Sequence, residues 1–222
     1  TPEWTNVTVI GLDDYSQSSG FDALLISFLD AQLQQTLGRQ DVSANDTCLI
    51  LACHGIPRSL ADKGDPGEAF MRRNYAALKS YFSAKGFSVF LAFQNHGGKG
   101  TPFPQSLFPW SSPPDTDVVP KVAASPCAHV LISGIISFVL DNSETLFDEA
   151  IDDRRMLKGK PATVTPSFND DLSFAEFLGG VIQLALEGKG AVRILKEGRP
   201  ILGWHETRGM ASSFGGAPNR FA

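Results

Sequence analysis

The chain is 222 residues long, 42% hydrophobic and 19% charged, with a formal net charge of −5. That length closes one sizeable core, or a core with an appendage, and the composition is that of a globular protein rather than a disordered one. Net acidity without a basic run excludes an electrostatic nucleic-acid footprint; no apolar run spans a bilayer or reads as a signal peptide, which leaves only a peripheral membrane association open.

In chain order, Thr8 to Leu12 reads as a short strand and is followed by a turn. Phe21, Leu24, Leu25, Phe28 and Leu29 form a helical stripe running to about Leu37, with Gly38 as its stop. Cys48 to Cys53 is a second strand and carries His54 at its end. Met71, Tyr75, Leu78 and Phe82 set up another amphipathic helix, closed by Lys85-Gly86. Phe87 to Phe93 is a third strand, its nearly continuous apolar character suited to a parallel strand covered on both faces. The stretch from His96 to Pro114, rich in Gly and Pro and holding Trp110, reads as a long functional loop.

Asp115 to Ala124 is a short helix, and Ala128 to Ile136 a fourth strand. A helix from about Ser143 carries Leu146, Phe147 and Ala150. Asp170 or Asp171 caps a further helix containing Phe174, Phe177, Val181 and Leu184, with Gly188 as its stop. Val192 to Leu195 and Pro200 to Trp204 read as a hairpin, and the tail from Glu206 is rich in Gly and Ser. Alternating strands and helices give an α/β fold, a parallel sheet between two helical layers. The expected division is an α/β domain over residues 1–188 and a carboxyl-terminal extension over 189–222.

Ligands in such sheets sit at the carboxyl ends of the strands, where His54, the 94–114 loop and the turn between Asp141 and Glu144 would converge. An imidazole held rigidly at a strand end suits acid–base or metal work near neutral pH, since imidazoles change charge there. Cys48, Cys53 and Cys127 fall outside any paired spacing. They read as reduced, buried small hydrophobes, which implies cytoplasm or an organelle with a reducing interior. Three thiolates are too few for an iron–sulfur cluster. His96, His129 and His205 read as structural or surface residues, and Asp65 as a helix cap before Pro66. Arg58, Lys63, Arg72 and Arg73 read as a solvated face. The chain starts at Thr1 rather than Met, as expected of a processed or trimmed protein.

Two stretches resemble the signatures of ferrochelatases, in the family's order: His54-Gly-Ile-Pro-Arg-Ser-Leu-Ala-Asp-Lys-Gly-Asp-Pro66 and Phe138-Val-Leu-Asp-Asn-Ser-Glu-Thr-Leu146. The family's tyrosine after Gly-Asp-Pro is here Gly67, and the His or Cys common between its Asp and Glu is replaced by Asn142-Ser143. The resemblance implies insertion of Fe(II) into protoporphyrin IX or coproporphyrin III, with iron as substrate metal and no permanent cofactor. It makes His54 the proton acceptor or metal ligand and Glu144 its catalytic and metal-binding partner. It also puts Phe138 and Trp110 at the macrocycle, and Asp141 at the turn presenting Glu144. On spacing alone, Glu144 is better read as a helix-dipole residue and Phe138 as a core residue.

The resemblance covers about Val7 to Glu187, the carboxyl-terminal half of a two-lobed chelatase. It therefore implies a four-stranded parallel sheet and either an amino-terminal half elsewhere or a homodimer partner. Two other readings stand beside it: a cobalt or nickel chelatase acting as a homodimer, and a non-catalytic tetrapyrrole-binding half-chelatase.

Overall fold

The computed structural model of the chain describes residues 9–12, 15–40, 42–94, 109–187 and 192–195. The strands are β1 (Val9–Leu12), β2 (Thr47–His54), β3 (Ser88–Gln94), β4 (His129–Ser133), β5 (Ala162–Val164) and β6 (Val192–Leu195). The helices are α1 (Ser19–Gln40), α2 (Arg58–Ala61), α3 (Gly67–Ala84), α4 (Asp115–Ala123) and a π-helix (Glu144–Asp153) continued by α5 (Arg154–Met156), then α6 (Leu172–Leu186). The chain divides into two compact units, residues 22–169 and the two terminal segments 1–21 and 170–222.

The larger unit is built on a four-stranded, all-parallel sheet in the order β3-β2-β4-β5. Its strands alternate between two apolar faces. Cys48, Ile50, Ala52, Ala92, Val130 and Ile132 pack against Val118, Val119 and Val122 of α4. The odd-numbered neighbours face α3, whose Arg72 guanidinium lies 5.1 Å from the centroid of Phe93. Burial on both faces explains the continuous apolar runs of β2 and β3. Alongside α3 runs α1, tied to it by Arg73 and Asn74 on Asp22 and by Tyr81 and Lys85 on Asp30.

Four parallel strands with helices on both sides are present, but one strand is not the expected one. β1 is outside this sheet, and the fourth member is β5, only three residues long and half-buried, too short for an alternation to show in sequence. β1 instead pairs antiparallel with β6 in the smaller unit, Val9 opposite Leu195 and Leu12 opposite Val192. The first strand of the expected hairpin stands as β6; its second, Pro200 to Trp204, lies outside the described residues, as does Gly188. The helix stop expected at Gly38 is also overridden: α1 runs through it, and Gly38 has open space around it. The cap expected at Asp170 or Asp171 is Asp171, whose carboxylate accepts from the backbone N–H of Ser173 and Phe174. In the smaller unit Tyr15, Phe21 and Phe177 form an aromatic trio with centroids 5.4 to 5.9 Å apart.

The cysteines are a further correction. Cys48 and Cys127 form a disulfide, with Cα atoms 5.7 Å apart, and Cys53 alone is a buried free thiol. Spacing hid the pair because 79 residues separate them, yet β2 and β4 are adjacent strands and Cys127 lies just before β4. The three free thiols behind the reducing-compartment expectation are thus reduced to one.

Candidate functional site at the carboxyl edge of the sheet

β2 ends at His54, and the surrounding contacts fix both its backbone and its ring. Its N–H donates to Ser137 Oγ at 3.0 Å, and that hydroxyl donates in turn to Met71 Sδ at 2.9 Å. The next residue, Gly55, donates its N–H to the carbonyl of Gln94 at 2.7 Å, tying the turn to the end of β3. The ring Nδ1 lies 2.7 Å from the carbonyl of Gly55. A carbonyl can only accept, so this contact puts the proton of a neutral ring on Nδ1 and leaves a lone pair on Nε2. Nε2 is thereby prepared to take a proton or bind a metal. The ring meets Phe138 edge-on with centroids 6.1 Å apart. Cys53, one residue earlier, points into the core, where burial pushes its thiol up to about 12 and makes it chemically quiet.

Residues 95–108 of the expected loop lie outside the described residues, but its last part is a strap laid on the His54 turn. Arg58 N–H donates to Pro109 O, Ser111 N–H to Ile56 O, and Phe93 N–H to Pro113 O. Pro57 and Trp110 face each other across this bridge. Glu68, buried at the start of α3, fastens the arrangement: it accepts from the Ser111 hydroxyl at 2.8 Å and from Arg72 at 2.6 Å, with Arg58 3.9 Å away. Despite burial, the Ser111 hydroxyl and the Arg72 and Arg58 guanidinium groups hold its carboxyl below the usual range. The basic group expected to be a solvated face is thus partly committed, Arg58 and Arg72 to Glu68 and Arg73 to Asp22. Gly67 stands where the signature has tyrosine, and a Cβ there would come within 2.6 Å of the Ile56 methyl.

Asp141 is held by its own loop. Its carboxylate accepts from Ser167 N–H, from Asn169 Nδ2 and, at 3.4 Å, from the Thr145 hydroxyl. These contacts fasten the 139–142 segment to residues 165–169 directly before the π-helix. Glu144 is half-buried at that helix's first position. The Ser143 hydroxyl, its own backbone N–H and the nearby His54 hold its carboxyl below the ordinary value. His54 is thus close enough to act electrostatically on Glu144. His54, Phe138 and Glu144 gather at one edge, Trp110 lies on the strap beside the His54 turn, and Asp141 sits in the loop behind Glu144. Among the described residues, no three His, Cys, Asp or Glu side chains converge as a metal-holding cluster.

The π-helix turns apolar side chains outward and polar ones inward. Leu146 and Phe147 are 60% and 53% exposed, whereas Thr145, Glu149 and Asp153 face inward. Glu149 and Asp153, both fully buried, went unnoticed in the sequence. The signal available was that any helix placing Thr145, Glu149 and Asp153 on one side turns Leu146 and Phe147 to the other. Burial, with Asp153 beside it, pushes Glu149 well above the carboxylate range; burial, with Asp115, Asp148 and Asp152 nearby, pushes Asp153 up to about 8. His129, expected to be structural, is buried against the Thr163 hydroxyl at 3.2 Å. At the opposite edge lies a groove of about 470 Å³, lined by Pro120, Cys127, Leu157, Lys160 and Pro161 among others, where Lys160 donates to three backbone carbonyls. Among the described residues no helix is long and apolar enough to cross a membrane.

Comparison with known proteins gives a consistent result. A family model described as Ferrochelatase matches residues 3–186. Ferrochelatase of Helicobacter pylori strain G27 is 30% identical over 146 residues, 63% of this chain and 40% of that protein. Those of Helicobacter hepaticus and Chlamydia caviae are each 26% identical, over 75% and 71% of this chain and 51% and 46% of their own lengths. The chain thus spans about half the length of the curated relatives it matches.

Proposed function

The chain belongs to the ferrochelatase family, and from that premise we propose that it is the catalytic wall of a chelatase inserting Fe(II) into a porphyrin, protoporphyrin IX or coproporphyrin III, in haem biosynthesis. Insertion replaces two pyrrole N–H protons by one metal ion, so the site has to accept protons and to hold the incoming metal weakly. His54 Nε2 takes a pyrrole proton or ligates the iron. Glu144, kept ionised by Ser143 and by proximity to His54, holds the metal at the opposite side or passes the proton on. Phe138 and Trp110 offer faces to the macrocycle. The observation that carries the reading is the Nδ1 contact with the Gly55 carbonyl, which leaves Nε2 unprotonated at the end of a rigid strand.

A second reading is favoured by Leu140, Leu146 and Phe147, which lie exposed near the edge as apolar surface for a partner. On this reading the other wall comes from a second copy of the chain, and the metal is cobalt or nickel. Anaerobic insertion assays with Fe(II), Co(II) and Ni(II), run with light scattering to give the oligomeric state, separate the two. His54→Ala is expected to lower turnover by about 100-fold or more and Glu144→Gln to lower it less. Full activity in both variants would remove these assignments.

A further inference from the structure

We propose that Glu149 carries a proton in the folded chain and, locked to Gln94 as an acid–amide pair, is a positioning residue for the turn that presents His54. Gln94 Nε2 donates to Glu149 Oε1 at 3.4 Å inside the core. Two atoms of this contact are left over: Gln94 Oε1 and Glu149 Oε2 are both buried and without a partner. One hydrogen resolves both. A carboxylic acid presents an O–H and a C=O to a primary amide's C=O and N–H, and the two groups close a ring of two hydrogen bonds. A carboxylate presents acceptors only, so it would leave the amide oxygen facing a second oxygen in a dry interior, the costly case.

The surroundings agree. The titratable groups facing Glu149 are Asp153, Asp148 and Asp141 from its own helix and the preceding loop, and the Cys53 thiol from β2. Burial first, and these acidic neighbours after it, disfavour ionisation. Gly134, which follows β4, leaves the room the acid occupies, because a Cβ there would run into the Glu149 carboxyl. The link to the site is short. Gln94 lies opposite His54 in the β2–β3 register, and its carbonyl receives the Gly55 N–H. Gly55 is the residue whose own carbonyl sets the His54 tautomer. Glu149 therefore steadies, through Gln94, the peptide that decides which imidazole nitrogen is free.

Only the significance for proton transfer rests on the chelatase reading; the protonation does not, so its test needs neither metal nor porphyrin. Infrared spectra of the full chain carrying ¹³C-labelled glutamate are expected to show one protonated carboxyl band at pH 7. The band should shift on deuteration, vanish in Glu149→Gln and move to the frequency of a free acid in Gln94→Leu. Exchange of the Gly55 amide is expected to stay slow in Glu149→Gln, whose amide can still pair, and to quicken about tenfold or more in Glu149→Leu. Absence of the band at pH 7, its survival in Glu149→Gln, or unchanged Gly55 exchange in Glu149→Leu each overturns the proposal. If neither variant folds, the wild-type spectrum decides alone. A chain that shows the band yet inserts no metal would count against the proposed activity and leave the acid–amide pair standing.

Discussion

The two edges of the parallel sheet treat buried polar atoms in opposite ways. At the amino edge everything is closed. Cys48 is bonded to Cys127, Ala128 N–H reaches Asp46 O, and Lys160 Nζ donates to the carbonyls of Val122, Ser125 and Cys127, finishing the end of α4. At the carboxyl edge and on the elements leaving it, Trp110 Nε1, Ser133 Oγ and Asp153 Oδ2 are buried without partners, and Gln94 Oε1 and Glu149 Oε2 gain one only through the proposed proton; no such atom occurs at the amino edge among the described residues. Buried polar groups are normally satisfied, so a run of exceptions marks the place where something other than stability has shaped the residues. One end of the sheet holds the chain together, and the other carries the residues of the proposed site.

That contrast can be broken by experiment. The largest expected effect is at the closed edge. Reducing the disulfide, or Cys127→Ser, frees a 79-residue separation and is expected to cost about 4 kcal/mol, read as a lower denaturant midpoint, with porphyrin binding by the remaining folded chain unchanged. Next comes pH. Asp153, with a folded-state value of about 8 against an ordinary 3.8, binds a proton that the unfolded chain has already lost. Its contribution to stability is full below the lower value and disappears as pH rises towards 8. Denaturation at pH 5 and pH 8 is expected to show a loss of which Asp153 supplies on the order of 3–4 kcal/mol, removed by Asp153→Asn, and a protonated Glu149 the remainder; a flat profile in the wild type would mean that both carboxyls are ionised.

A smaller effect should follow from Glu68→Ala, which strips the acceptor from Ser111 and Arg72. It is expected to cost about 2 kcal/mol and to speed exchange of the Ser111 amide selectively, because the strap is lost before the sheet. The smallest is Lys160→Met, expected to cost about 1 kcal/mol in thermal melts without altering metal insertion. If Lys160→Met affected insertion more than stability, the division of labour between the edges would fail.

Much of the sheet was readable because burial on both faces leaves uninterrupted apolar runs, as in Leu49 to Ala52 and Val89 to Phe93. β5 was not, since three half-buried residues carry no periodicity, and its place follows from β4 beside it. The strand end carrying His54 was legible for the same reason as the strands; Phe138 lies past the end of β4, beyond the turn that follows Ser133. Glu149 and Asp153 were not, because a carboxylate in sequence looks like a solvated residue until the helix turns it inward. Leu146 and Phe147 were misleading in the complementary way, apolar residues that face outward. The Cys48–Cys127 pair needed the knowledge that β2 and β4 are neighbours, a fact of topology that no local spacing carries.

The pairing of β1 with β6 has a consequence for how the chain comes off the ribosome. The strand at residues 9–12 finds its partner only once residues 192–195 exist, about 180 residues later, a wait on the order of 10–40 s at ordinary rates of synthesis. Residues 22–169 can meanwhile close around their own sheet. Until then the 9–12 strand lacks this partner, and its backbone edge is the kind of surface that chaperones shield and neighbouring chains capture.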